Sequence, residues 1–136
     1  MPRDQASGMQ MRDAVEADAE RLAEMTDAPA DVLRNLVHDR TVRVLEDDGE
    51  IAGFVSYDAR DRTVHVTQIE GPAAGLETLL SEPLGFARAE GMAAELVVPE
   101  DGPAVEEAAL AAGFEAVGSG PRFEGRPTTR FRAEDP

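Results

Sequence analysis

The chain has 136 residues, 42% of them apolar, and sets 28 acidic side chains against 13 basic ones for a formal charge of -15. Every basic residue is arginine, cysteine is absent and only two histidines occur, which excludes disulfides, a thiolate nucleophile, a cysteine zinc site and a multi-histidine metal centre. The acidic balance also argues against nucleic acid or an anionic membrane as partner, because both recruit clustered basic residues.

This length suits one hydrophobic core, and a domain of this size buries roughly two-thirds of its unfolded surface. So large a negative charge repels itself in dilute buffer, and molar salt, with a screening length of about 3 Å, relieves it. Arginine pairs with carboxylates more readily than lysine, so an acidic, lysine-free surface is expected in a protein adapted to high salt; a GC-rich genome gives the same arginine bias. No apolar run reaches the roughly 20 residues of a spanning helix, and the first residues lack a signal-peptide pattern, so a cytoplasmic protein is expected.

In chain order, residues 1–8 are polar and expected to be a loose tail, as are residues 133–136, with a single domain over 9–132. Met9 to Arg12 reads as a short strand. Ala19, Leu22, Ala23 and Met25 recur at helical spacing behind a cap at Asp18, and Pro29 opens a second helix whose Val32, Leu33, Leu36 and Val37 share one face. The period then changes: Thr41–Glu46 and Glu50–Tyr57 are β-branched and apolar, and Asp47-Asp48-Gly49 between them predicts a hairpin. Thr63–Ile69 follows as a strand, with Val64 and Val66 on one face and His65 and Thr67 on the other.

From Gly75 the helical period returns in Leu76, Leu79, Leu80, Leu84 and Ala87 and closes at Gly91, with Pro83 expected either to kink the helix or to break it into two pieces near Ser81. Ala94–Val98 reads as a buried strand, and Asp101-Gly102-Pro103 opens a last helix through Val105, Ala108, Ala109 and Ala112 that ends at Gly113-Phe114. Glu115–Gly118 and Thr128–Arg132 close the chain as strands. The order implies an α/β (α+β) fold with a mixed central sheet of about six to seven strands and helices on both faces.

Three segments in this order carry a resemblance: Met11-Arg12-Asp13-Ala14 followed by Asp18-Ala19, the hairpin Glu46 to Val55, and Ala111-Ala112-Gly113-Phe114-Glu115. Together they resemble the GCN5-related N-acetyltransferase (GNAT) family over Met9–Arg132. The resemblance implies acetyl transfer from acetyl-CoA to an amine, on a small molecule or a peptide, and leaves room for a homodimer. It also implies a pyrophosphate loop of pattern Arg/Gln-x-x-Gly-x-Gly/Ala at a helix N-terminus, where backbone amides meet phosphate. Gln68, Gly71 and Ala73 satisfy the pattern literally. Matching Val66 to the family's last strand valine, and Leu79-Leu80 to its paired leucines, instead puts Gly71, Ala74 and Leu76 at those positions.

Cofactor-binding residues implied by the resemblance are therefore Val66, Thr67, Gln68, Gly71, Ala73, Ala74, Gly75 and Leu76. The family's tyrosine acid falls on Ala109, and its asparagine at the start of that helix falls in Gly102-Pro103. His65, Glu70 and Tyr57 are the candidates for a general base, each with a plain structural alternative: a surface histidine, a solvated carboxylate, a core-edge aromatic. Arg122, Arg126, Arg130 and Arg132 could clamp an anionic substrate or the coenzyme's 3′-phosphate, or pair with neighbouring carboxylates. The alternative to an enzyme is a GNAT-fold binding or dimerisation module that has lost efficient coenzyme binding.

Overall fold

A computed structural model describes residues 9–100, 102–122 and 125–136. The tail expected over residues 1–8 lies outside them, as does Asp101 of the turn expected before the last helix. Strands β1 (Met9–Asp13), β2 (Thr41–Asp47), β3 (Glu50–Arg60), β4 (Thr63–Glu70), β5 (Ala93–Pro99), β6 (Glu115–Ser119) and β7 (Thr128–Ala133) form one sheet. Helices α1 (Ala19–Glu24), α2 (Ala30–Asp39), α3 (Ala73–Glu90) and α4 (Pro103–Ala112) pack on it. The strand order is β1-β2-β3-β4-β5-β7-β6, antiparallel throughout except for the β4–β5 pair.

Alternation along the strands separates two apolar layers. Val55 of β3 and Phe131 of β7 join Leu79, Leu80 and Phe114 beneath α3 and α4, while Val44 and Phe54 join Leu22 and Leu33 beneath α1 and α2. The hairpin turns where expected, with Asp48 and Gly49 both at positive φ, the conformation a two-residue turn needs to match strand twist. Asp18 is not a side-chain cap for α1. Its carboxylate accepts from the Val15 amide at 2.8 Å and from Arg12 Nη1 at 2.8 Å, so it ties the end of β1 to the entry of the helix.

Two local readings are corrected, the break of the helix at Pro83 and the place of Val32. Helix α3 runs unbroken from Ala73 to Glu90 through Pro83. The proline ring is fully buried in the α3 core, Ser81 Oγ donates to the Thr78 carbonyl at 2.6 Å, and packing of the whole apolar face outweighs the one lost amide bond. Val32 does not share the buried face of α2: it is 52% exposed while Leu33 is 1% exposed. At the C-terminus β7 reaches Ala133, which is buried, and Arg88 Nε donates to the Pro136 carbonyl at 2.8 Å.

Candidate active-site cleft

The parallel pairing of β4 and β5 is short. It joins Thr63 to Ala93, Val64 to Ala94 and His65 to Glu95, and then stops although both strands continue. A bulge causes the divergence: Ser56 of β3 pairs with Gln68 and Tyr57 with Val66, so Thr67 is an extra residue in β4. A bulge bends its strand and raises the local twist, which turns Val66–Glu70 away from Leu96–Pro99. Between the parted strands lies a cleft of about 560 Å³.

Register assigns the walls. Val66 and Ile69 stand opposite Tyr57 and Val55 and pack against the α3–α4 core. Gln68 and Glu70 stand opposite Ser56 and Phe54 and therefore face the α1–α2 side. Leu96, Val98 and Val105 make the β5 wall apolar, and Pro121, Arg122 and Thr128 close it from the β6–β7 connection.

Two groups in the β4 wall are chemically notable. Ser56 is fully buried and its Oγ lies 2.6 Å from Thr67 Oγ1, while Thr67 is exposed in the cleft. A buried hydroxyl left without a partner costs about 1–3 kcal/mol, so the bond to Thr67, in which either hydroxyl can donate, satisfies Ser56 and ties the bulge to β3. The second group is Glu70, half-buried in the same wall. Burial pushes its carboxyl above the ordinary range, a hydrogen bond from Gln68 partly offsets this, and the Asp27 carboxylate from the α1–α2 loop adds to the rise. A carboxylate held with a raised pKa takes a proton more readily at neutral pH.

The other base candidates stand elsewhere. His65 lies in the last β4–β5 pair, opposite Asp58 and Glu95, below the point where the strands part. Tyr57 is 5% exposed on the α3 face, its ring 5.9 Å from that of Phe86. Burial pushes its hydroxyl pKa up, the Glu82 carboxylate adds to this, and Arg43 works against it.

The residues expected to cradle a pyrophosphate divide into two sets. Ala73 and Ala74 open α3 and are exposed, whereas Gly75 N donates to Pro72 O at 2.8 Å and Leu76 is 2% exposed in the core. A Cβ on Gly75 would stand 2.6 Å from Leu45 Cδ2, so that glycine permits close packing rather than approach to a ligand. Gly71 faces Gly53 and Leu79 for the same reason. The position matching the family tyrosine, Ala109, is fully buried between α4 and the sheet.

Of the C-terminal arginines, Arg132 pairs with Glu95 at 2.6 Å and with Glu134, while Arg122 lines the cleft. Arg130 projects from β7 and is exposed. The Ser56–Thr67 pair went unnoticed in the sequence, although a serine inside Gly53-Phe54-Val55-Ser56-Tyr57 is a polar interruption in an otherwise buried run.

No protein-family model matches the sequence, and no curated protein sequence matches it. Solved structures do. YncA from Salmonella typhimurium, named as an acetyltransferase and solved with its cofactor acetyl-CoA, superposes with a TM-score of 0.78 at 18% identity, over 96% of this chain and 95% of its own. A variant of the spermidine N-acetyltransferase SpeG from Vibrio cholerae gives 0.77 at 16% identity, over 95% of each chain. A Desulfovibrio desulfuricans protein named as a GNAT acetyltransferase gives 0.74 at 22% identity, over 94% of this chain and 99% of its own. The cleft between β4 and β5 therefore lies in a chain that has, over 94–96% of its length, the fold of the GNAT acetyltransferases.

Proposed function

We propose that the protein is an acyl-CoA-dependent N-acyltransferase that moves an acetyl group from acetyl-CoA to an amine. The observation that carries this reading is the splayed β4–β5 cleft, with a bulge and a raised-pKa carboxylate in one wall, on a fold shared over 96% of the chain with an acetyltransferase.

The cleft suits the acylated arm of the coenzyme. Val66, Leu96, Val98 and Val105 offer an apolar channel, and the irregular pairing at Thr67 together with its hydroxyl offers donors toward an acyl carbonyl. For the phosphates, the exposed amides of Ala73 and Ala74 at the positive end of α3 are the available donors; Pro72 has none and that of Gly75 is already used. Acetyl-CoA supplies the activated acyl carbon. Glu70 holds the proton that the attacking amine must lose, and the fold of β4 against β3 fixes both groups relative to the channel.

With Ala109 at the position of the family's tyrosine, the leaving thiolate has no side-chain acid from that helix position. A missing proton donor typically costs a factor of about 10² to 10⁴. The same substitution, together with the burial of Leu76 where the family loop carries a small residue, favours a second reading as a non-catalytic binding module. Calorimetric titration with acetyl-CoA in molar potassium chloride separates the two. Saturable binding followed by release of free thiol in the presence of amines supports the enzyme, and no heat at millimolar acetyl-CoA refutes it and supports a module that has lost efficient coenzyme binding.

A further inference from the structure

Among the described residues lining the cleft two are charged, and they have opposite signs: Glu70 on β4 and Arg122 on the β6–β7 connection. Glu70 faces the α1–α2 side of the sheet, and Thr67 and Gln68 lie beside it in the same wall. Val97 and Pro99 add apolar surface to the lining of the same cleft.

The connection is built to hold Arg122 at this wall. Gly120 approaches β7 so closely that a Cβ would meet Thr128 Oγ1 at 2.6 Å, and Gly120 N donates to Thr128 O at 3.1 Å. Thr128 Oγ1 donates in turn to Pro121 O at 2.6 Å, and Arg122 Nη1 donates to Gly125 O at 2.8 Å. A guanidinium has five N–H donors in a rigid fork matched to a carboxylate, and the bond to Gly125 uses one of them. A surface of net charge -15 draws cations without help. Arginine in the cleft opposes a purely cationic acceptor by like charge and favours one that also carries an anion.

We infer, resting on the acyltransfer reading above, that the acceptor is a zwitterion of the amino-acid type, its amine directed to Glu70 and its carboxylate to Arg122. In the reaction the acceptor's ammonium first gives one proton to solvent to become the free amine; as the C–N bond forms and the C–S bond breaks, the nitrogen sheds its second proton to Glu70, and that proton balances the thiolate released.

The test compares L-leucine with isopentylamine, which lacks only the carboxylate, and with 1,5-diaminopentane, which adds a second cation. Rates are corrected for the fraction of free amine. The expected result is a kcat/KM for L-leucine at least 10-fold above both amines. Arg122→Gln should lower the ratio of leucine to isopentylamine by roughly 10- to 100-fold, the worth of one charge-assisted hydrogen bond. Titration of L-leucine into the protein saturated with coenzyme A should show the same weakening in Kd. A preference for the diamine, or an equal loss with both acceptors in Arg122→Gln, overturns the assignment. Acetyl-CoA titration read in parallel distinguishes the failures: with binding intact only the acceptor class is wrong, and without binding the acyltransfer reading and the acceptor class fall together.

Discussion

Gly53 offers a quantitative test of how β3 positions the cleft wall. A Cβ at this position would stand 2.5 Å from the Glu70 carbonyl oxygen and 3.0 Å from Gly71 Cα, both backbone atoms. Its φ is not in the left-handed region, so alanine loses nothing conformationally and relieves unfolded-chain entropy by about 0.5–1 kcal/mol. Against this, restoring an ordinary contact requires the β4–α3 junction to retreat by most of an ångström, and overpacking of that kind costs about 1–3 kcal/mol, here at the upper end because no side chain can swing aside. The net expectation for Gly53→Ala is a loss of about 2 kcal/mol, or roughly 6–10 °C in Tm for a domain of this size. Denaturant titration in molar salt measures it, with Gly85→Ala as the converse. A Cβ at Gly85 meets nothing within 4 Å, and an alanine within α3 should add about 0.5–1 kcal/mol. A Gly53→Ala protein as stable as the parent would refute the argument that this contact sets the junction that carries Glu70.

Glu70→Gln should reduce kcat/KM with amine acceptors by about 10² to 10⁴-fold, the usual worth of a general base, read as thiol release. The same change should stabilise the protein at neutral pH: the folded pKa of Glu70 is raised, so its favourable contribution exists below the ordinary glutamate value and is lost as pH rises through the folded one, and the two proteins should have equal Tm near about pH 4. Arg12 donates through Nε to Glu46 at 2.6 Å and through both terminal nitrogens to Asp18 at 2.8 and 3.1 Å. Arg12→Met should cost about 1.5–3 kcal/mol at pH 7 by urea unfolding. Because the Arg12 hydrogen bond holds the Asp18 carboxyl below the ordinary range, that loss should shrink as pH falls from the ordinary aspartate value through the lowered one. Unfolding midpoints should climb between low and molar potassium chloride if the acidic surface is a salt adaptation, and a flat or falling response sinks that proposal.

Local chemistry in the sequence was enough for most of the elements. Asp47-Asp48-Gly49 allows a tight turn at positive φ, Gly113-Phe114 ends α4 with a left-handed glycine and a buried follower, and the alternation along Val64 to Ile69 marks a strand. Each of these signals sits within a few residues of what it determines. The unbroken α3 was not legible, because the effect of Pro83 depends on the core its ring enters rather than on the residues beside it.

The same division runs through the site. The sequence alone determined the charge of -15, the absence of lysine and cysteine, the run of small residues that leads into the first turn of α3 and the alanine where the resemblance places a tyrosine. Only the tertiary structure decided which of these residues share a cleft. Glu70 and Arg122 lie far apart in the chain and line one cleft because one extra residue at Thr67 bends β4 away from β5. Tyr57 and Glu70 are both on paired strands yet face opposite sides of the sheet, a distinction set by cross-strand register. Burial, too, is a property of the assembled fold: it separates Gly75 and Leu76 in the core from Ala73 and Ala74 at the surface, and it lifts the pKa of one glutamate among many. Periodicity is local, whereas register, burial and the field of distant charges arise only when the strands have paired.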